Sequence, residues 1–337
     1  MKTKSQTRIP TEESVYTMSM SGNPEFVTPT IRYSYSSMIT PPTTFEYDLK
    51  TGKSKVLKQQ EVLGGYDKTK YETSRAWAFV RDGVKVPISI VMKKGTKLDG
   101  NAPMLLYAYG SYGLSMTPSF SSARFSLVDR GMIYAIAHIR GGGELGEPWR
   151  QAGRMFTKIN TFNDFVDSAE WLIKNNYTKS DRLVIQGGSA GGLLMGAVSN
   201  MRPDLFKAVI AQVPFVDVMN TMLDETLPLT TEEWIEWGNP NEKKAFDYMI
   251  KYSPYENVKA QNYPNMLVEV SLNDSQVPYW EGAKLAAKIR AMKTDKNIVM
   301  VKVNMGAGHG GSSGRYDRLK EIAFDYAYAL NQVGIAK

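Results

Sequence analysis

From Met104 onward, short apolar runs alternate with amphipathic stretches, and this alternation leaves few folds open to the chain. Residues 104–109, 132–137, 183–186, 208–213, 266–272 and 298–303 are strand-sized and nearly free of charge. Between or after them, residues 162–174, 193–201, 280–292 and 316–330 carry apolar side chains at helical spacing. Apolar strands separated by helices predict an α/β fold whose mainly parallel sheet is covered on both faces. Ahead of it, residues 77–80 and 87–91 flank Asp82-Gly83, a hairpin signal. Earlier still, residues 31–35 and 43–47 alternate with period two, and a turn over 48–53 leads to 54–57. Strands this short form one blade or hairpin set and no core of their own. No second copy of the pattern occurs downstream, so the chain carries no repeat array. A length of 337 residues fits about two units, and the expected division is 1–75 and 76–337.

The sharpest local signal is Gly187-Gly188-Ser189-Ala190-Gly191, a G-x-S-x-G pattern between a predicted strand and a predicted helix. A serine in that turn needs small neighbours because strand and helix crowd it. In return the turn lifts Oγ above the sheet edge and leaves the next backbone N–H free to face an oxyanion. Such a serine needs a base, and the chain has two histidines, His138 and His309. In α/β-hydrolases the order is Ser…Asp/Glu…His, which only His309 satisfies; it lies in a polar loop just after the last strand. His138 precedes the serine and is read as structural. The acid is expected after the penultimate strand, where Asp274 is the first carboxylate; it would fix the imidazole tautomer. A turn-forming role for Asp274 stands beside that one.

Composition excludes other chemistries. Zero cysteines rule out disulfides, thiolate metal sites and a thiol nucleophile, and two histidines are too few for a multi-histidine metal centre. The expected cofactor and metal content is none. No apolar run reaches the ~18–20 residues of a membrane span. Residues 1–8 carry charge with no apolar stretch behind them, so no secretory signal is expected. These features fit a cytoplasmic protein without a membrane partner. The net charge of +7 is spread along the chain with no basic block, which argues against a nucleic-acid partner. Residues 208–242 are the exception. They hold no Lys, Arg or His, yet include Asp217, Asp224, Glu225, Glu232, Glu233, Glu236 and Glu242. A pocket for a basic side chain needs carboxylates, because an unpaired buried cation is costly. A solvated acidic surface would give the same composition.

Several segments together carry a family resemblance: Tyr107-Ala108-Tyr109-Gly110-Ser111-Tyr112-Gly113, His138-Ile139-Arg140-Gly141-Gly142-Gly143-Glu144-Leu145-Gly146, the serine motif, Met201-Arg202-Pro203-Asp204-Leu205-Phe206 and Tyr252-Ser253-Pro254-Tyr255. From about residue 12 the chain resembles the prolyl oligopeptidase family of serine peptidases. Through Thr230-Thr231-Glu232-Glu233-Trp234-Ile235-Glu236-Trp237-Gly238-Asn239-Pro240 it resembles the oligopeptidase B branch. The resemblance implies an α/β-hydrolase fold preceded by part of a β-propeller, with Ser189, Asp274 and His309 as the triad. It also implies an oxyanion hole from the Ala190 N–H and the Tyr109 hydroxyl; from the residues alone, Tyr109 is simply a strand-end tyrosine. Proline-specific members have a tryptophan where this chain has Glu233. Oligopeptidase B pairs two glutamates two residues apart for the basic side chain before the scissile bond. Here the second is Ile235, and Glu236 is the candidate to compensate. The implied substrates are short peptides cut after Arg or Lys, with a preference relaxed by Ile235. Full members carry a seven-bladed propeller that limits substrate size, whereas this chain resembles only the last blade and the hydrolase domain after it. Whether that is a fragment, a partial gene model or a natural short form stays open at this level. So do an esterase or proline-specific peptidase on the same scaffold, and an inactive fragment acting as a binding module. Oligomeric state is not legible.

Overall fold

A computed structural model describes residues 6–335; the first five residues of the stretch 1–8 lie outside it. Among the described residues, twelve strands form two sheets. β1 (Tyr16–Met20), β2 (Thr30–Ser37), β3 (Thr43–Asp48) and β4 (Ser54–Gln59) make an antiparallel meander. Its own core is small: Tyr33, Tyr35 and Tyr47 are its buried hydrophobics. β4 is exposed along its whole length, whereas Val15, Met38 and Ile39 pack with Tyr71 and Phe125 of the larger unit.

The second sheet has eight strands in the order β12-β11-β10-β9-β7-β8-β6-β5. These are β5 (Tyr71–Phe79), β6 (Lys85–Lys93), β7 (Met104–Tyr107), β8 (Ile133–Ala137), β9 (Leu183–Gly188), β10 (Ala208–Gln212), β11 (Asn265–Ser271) and β12 (Val299–Asn304). From β8 to β12 every pairing is parallel, and the hairpin β5–β6 joins antiparallel at one edge. The sheet is the mixed, mostly parallel one expected of an α/β-hydrolase. Sheet membership changes between Gln59 and Tyr71, five residues ahead of the break read at residue 76.

Side-chain alternation explains why the central strands read as unbroken apolar runs. Leu183, Ile185, Val209 and Val268 point into one core and Val184, Ile210 and Leu267 into the other, all out of water. Each such side chain contributes about 1.5–3 kcal/mol by its burial. The helices α1 (Ile159–Lys174), α2 (Ala190–Met201) and α4 (Tyr279–Met292) cover the first face. The long C-terminal helix α5 (Arg315–Gln332) and residues 125–128 cover the second. Between them in sequence, α3 (Thr230–Trp237) lies over the carboxyl edge of the sheet. Part of the acidic stretch thus folds as this helix, one that its charge pattern did not reveal. β1 was also not anticipated, since its Ser- and Met-rich sequence lacks a β-branched run.

Candidate active site

β9 ends at Gly188 and α2 begins at Ala190, so Ser189 is the whole connection. Its backbone is in the left-handed half of φ space (φ 57°, ψ −119°), a conformation costing a non-glycine residue about 1–3 kcal/mol. The turn is held because Ser189 N–H donates to the Gln212 carbonyl at 2.8 Å, and the Ser189 carbonyl accepts from Gly192 and Leu193. The two motif glycines have no room for a side chain. A Cβ on Gly187 would strike the Gly191 carbonyl, and one on Gly191 would come 2.9 Å from the Ala108 carbonyl. Ala190 is buried at the first helical position, where a backbone N–H has no acceptor within its own helix.

The loop after β11 carries Asp274 and the loop after β12 carries His309, and the structure brings the two together. Asp274 Oδ2 lies 2.8 Å from His309 Nδ1. Its other oxygen, Oδ1, accepts the Gln276 and Val277 backbone N–H groups, both at 2.9 Å. The Asp274 side chain is fully out of water, and the imidazole is partly exposed. With Nδ1–H donated to the carboxylate, Nε2 is left as the basic nitrogen. Ser189 and His309 line one cavity of about 840 Å³, counted with its open mouth. Ser189 and Asp274 line a second, of about 810 Å³.

Tyr109 is half-buried where the chain leaves β7. Burial pushes its phenol up to about 12, while the nearby Ser189 side chain pulls the other way. Its hydroxyl therefore stays protonated and able to donate near neutral pH.

The 810 Å³ cleft beside Ser189 is walled mainly by apolar groups, among them Phe215, Met222, Val277 and Trp280, with Glu233 set into it. Glu233 Oε2 accepts from the Tyr112 hydroxyl at 2.6 Å and from Trp237 Nε1 at 2.8 Å. Both donors are neutral, and no donor among the described residues reaches Oε1. Burial, and then the Glu233 charge, push the Tyr112 phenol far up, so it acts purely as a donor here. Glu236, the proposed compensating carboxylate, is not part of the cleft wall. It is buried, its Oε1 accepts the Tyr112 backbone N–H at 2.8 Å, and its Oε2 faces Arg154 at 3.7 Å. Ile235 turns outward, 66% exposed, while its carbonyl accepts from Arg154. Three and four residues apart on a helix share a face, but two apart do not. Glu233, Glu236 and Trp237 therefore share the face turned toward Tyr112, with Glu233 and Trp237 lining the cleft and Glu236 buried on the Tyr112 N–H, while Ile235 lies off that face in water.

His138 is almost fully buried, with Nε2 2.6 Å from Ser89 Oγ and Nδ1 3.3 Å from Glu144. Burial pushes its pKa down, which suits the structural reading. Tyr112 and Trp237 were missed from sequence. The available cue for Trp237 was its i+4 spacing from Glu233; Tyr112 gave none beyond its place near Tyr109.

A serine at a strained strand-to-helix turn, with a hydrogen-bonded Asp–His pair on the loops after the last two strands, is the arrangement of an α/β-hydrolase of the serine-nucleophile class. Residues 118–336 match the model of the prolyl oligopeptidase family, and residues 1–60 match that of the prolyl oligopeptidase N-terminal beta-propeller domain. The chain belongs to the prolyl oligopeptidase family of serine peptidases. It is 54% identical to dipeptidyl aminopeptidase BI of Pseudoxanthomonas mexicana over 326 residues, 96% of this chain and 45% of that protein. Against protease 2 of Moraxella lacunata it is 45% identical over 324 residues, 96% of this chain and 47% of that one. Among solved structures it is similar to oligopeptidase B from Leishmania major, with a TM-score of 0.91 and 47% identity over 98% of this chain and 46% of that one. A Trypanosoma brucei oligopeptidase B with covalently bound antipain, in a closed form, gives 0.90 and 48% over 96% of this chain and 46% of that one. The chain thus spans about half the length of the relatives it matches. No helix among the described residues is long and apolar enough to cross a membrane.

Proposed function

We propose that this chain is the catalytic part of a serine oligopeptidase that cuts short peptides after Arg or Lys through an acyl-enzyme on Ser189. The reading divides the chain into a last-blade remnant with linker (1–75) and a catalytic domain (76–337). Ser189 Oγ attacks the scissile carbonyl while His309 Nε2 takes its proton. The carbonyl oxygen becomes an oxyanion held by the Ala190 N–H and the Tyr109 hydroxyl. Collapse of the tetrahedral intermediate breaks the C–N bond, and the imidazolium returns the proton to the leaving amine. Water, activated by the same imidazole, then hydrolyses the ester. Asp274 holds the tautomer and stabilises the imidazolium throughout.

The Arg/Lys preference is carried by one observation: the cleft at Ser189 contains a carboxylate, Glu233, whose donors are both neutral and which keeps one oxygen unengaged. An apolar-walled cleft with one carboxylate suits a long aliphatic stem ending in a cation. With Glu233 alone in this role, the preference is expected to be weaker than a pair of glutamates would give. Chromogenic peptides ending in Arg, Lys, Pro and Phe test this, with the basic pair expected to turn over fastest. Glu233→Gln is expected to lower kcat/KM for Arg roughly 10- to 100-fold, the worth of one charged hydrogen bond, and to leave Phe nearly unchanged. Fastest turnover on Pro would contradict the proposal.

The relative named dipeptidyl aminopeptidase favours a second reading, in which dipeptides are released from the amino terminus. The masses of products from a peptide with an internal Arg far from either end separate the two.

A further inference from the structure

One buried cation has no part in the proposed chemistry. Lys158 precedes α1 and is 1% exposed. Its Nζ donates to the Gly110 carbonyl and to Ser111 Oγ, both at 2.7 Å, and stands 5.0 Å from the Trp237 ring centre. A lysine ordinarily extends its stem until the ammonium reaches water, and burying that charge is costly. Burial pushes its pKa down to about 7, against the pull of Glu236. The neutral amine still has two hydrogens to donate, so both bonds survive loss of the proton.

The loop that Lys158 grips is strained. Gly110 (φ 74°), Tyr112 (φ 58°) and Gly113 (φ 66°) all have left-handed backbones, unfavourable for Tyr112. Each turn of the loop is tied from outside. Lys158 holds Gly110 and Ser111, Glu236 accepts the Tyr112 N–H, and the Gly141 carbonyl accepts the Gly113 N–H. The same loop carries Tyr109, at Ser189, and Tyr112, on Glu233. We infer that Lys158 is a positioning residue: by clamping Gly110 and Ser111 it fixes the Tyr109 hydroxyl for the oxyanion and the Tyr112 hydroxyl for Glu233. This rests on the serine-peptidase reading of the site.

The test counts active sites in the 337-residue chain by fluorophosphonate titration. It then expresses kcat per titrated serine for Arg and Phe substrates. Lys158→Met keeps the length of the side chain and removes the donors. It is expected to lower kcat per serine roughly 10- to 100-fold on both substrates, short of the ~10²–10³-fold for deleting an oxyanion donor outright. A role in stability alone would reduce the number of titrated serines and leave kcat per serine unchanged. Adding Lys158→Met to Tyr109→Phe is expected to cost less than about threefold more, because residues acting through one another are not additive. Ser111→Ala removes one clamp and is expected to lower kcat per serine about fivefold; it carries the test if Lys158→Met does not fold. Unchanged kcat per serine in Lys158→Met, or in Ser111→Ala if that variant must stand in, overturns this inference alone. Fully multiplicative losses with Tyr109→Phe overturn it as well. Failure of the unmodified chain to label overturns the serine-peptidase reading and this inference with it.

Discussion

Asp274 uses its two oxygens differently. Oδ1 closes the turn after β11 by accepting two backbone N–H groups, and Oδ2 faces the His309 imidazole. The turn-forming and tautomer-fixing readings of this residue are therefore compatible: the turn holds the carboxylate still for the imidazole. Asp274→Asn keeps the size and much of the turn but favours the wrong tautomer of His309. In the proposed mechanism it lowers kcat about 10⁴-fold with little change in KM, by analogy with other triads; steady-state kinetics on an Arg substrate checks this. The proposed triad of Ser189, Asp274 and His309 could be picked out as a candidate because topology fixes where such residues stand along the chain, and the scarcity of histidine left one choice of base. Glu236 was not legible in this way. Its place was read from charge; on α3 it shares a face with Glu233, but its carboxylate is buried against the Tyr112 N–H and does not line the cleft. Lys158 was invisible for a related reason. A lysine in Thr157-Lys158-Ile159-Asn160 looks like any solvated lysine until the fold closes over it.

At the scale of elements, the central strands and four of the five labelled helices follow the hydrophobic pattern closely, since burial on both faces leaves a strong signal. The exceptions are β1, at the edge of a small sheet, and α3, whose acidic face hid its periodicity. Beside its apolar contacts, the joint between α5 and the sheet contains a cluster of polar groups. Gln212 Nε2 donates to Glu269 at 3.1 Å and to Asp325 at 2.8 Å, and Lys302 Nζ donates to Glu269 at 2.7 Å. Asp325 is almost fully buried. Burial first, and then the neighbouring Glu269 carboxylate, hold its pKa well above the ordinary carboxyl range. A group raised in the folded state contributes stability that is fully present below its unfolded pKa. That contribution is lost as pH rises through the folded value. The thermal midpoint is therefore expected to fall from pH 5 to pH 9 through this residue. Asp325→Asn, neutral at every pH, should flatten that fall by about 2–4 °C per kcal/mol of linkage; scanning calorimetry across the range tests it. An unchanged slope would contradict the role given to Asp325.

At the scale of the whole molecule, one large unit carries the site and one small sheet leans on it. The eight-stranded sheet has apolar cores on both faces. The four-stranded meander has a three-tyrosine core and contributes Val15, Met38 and Ile39 to the larger unit's packing. Every group in the proposed chemistry lies on the larger unit, between Tyr109 and His309. The catalytic geometry therefore needs nothing from the meander. The most direct measurement is labelling of the purified 337-residue chain with a fluorophosphonate, with the modified residue located by mass spectrometry. The predicted result is one adduct per chain, on Ser189, absent in Ser189→Ala. A folded chain that stays unlabelled, or labels equally in Ser189→Ala, would contradict the assignment of Ser189 as nucleophile.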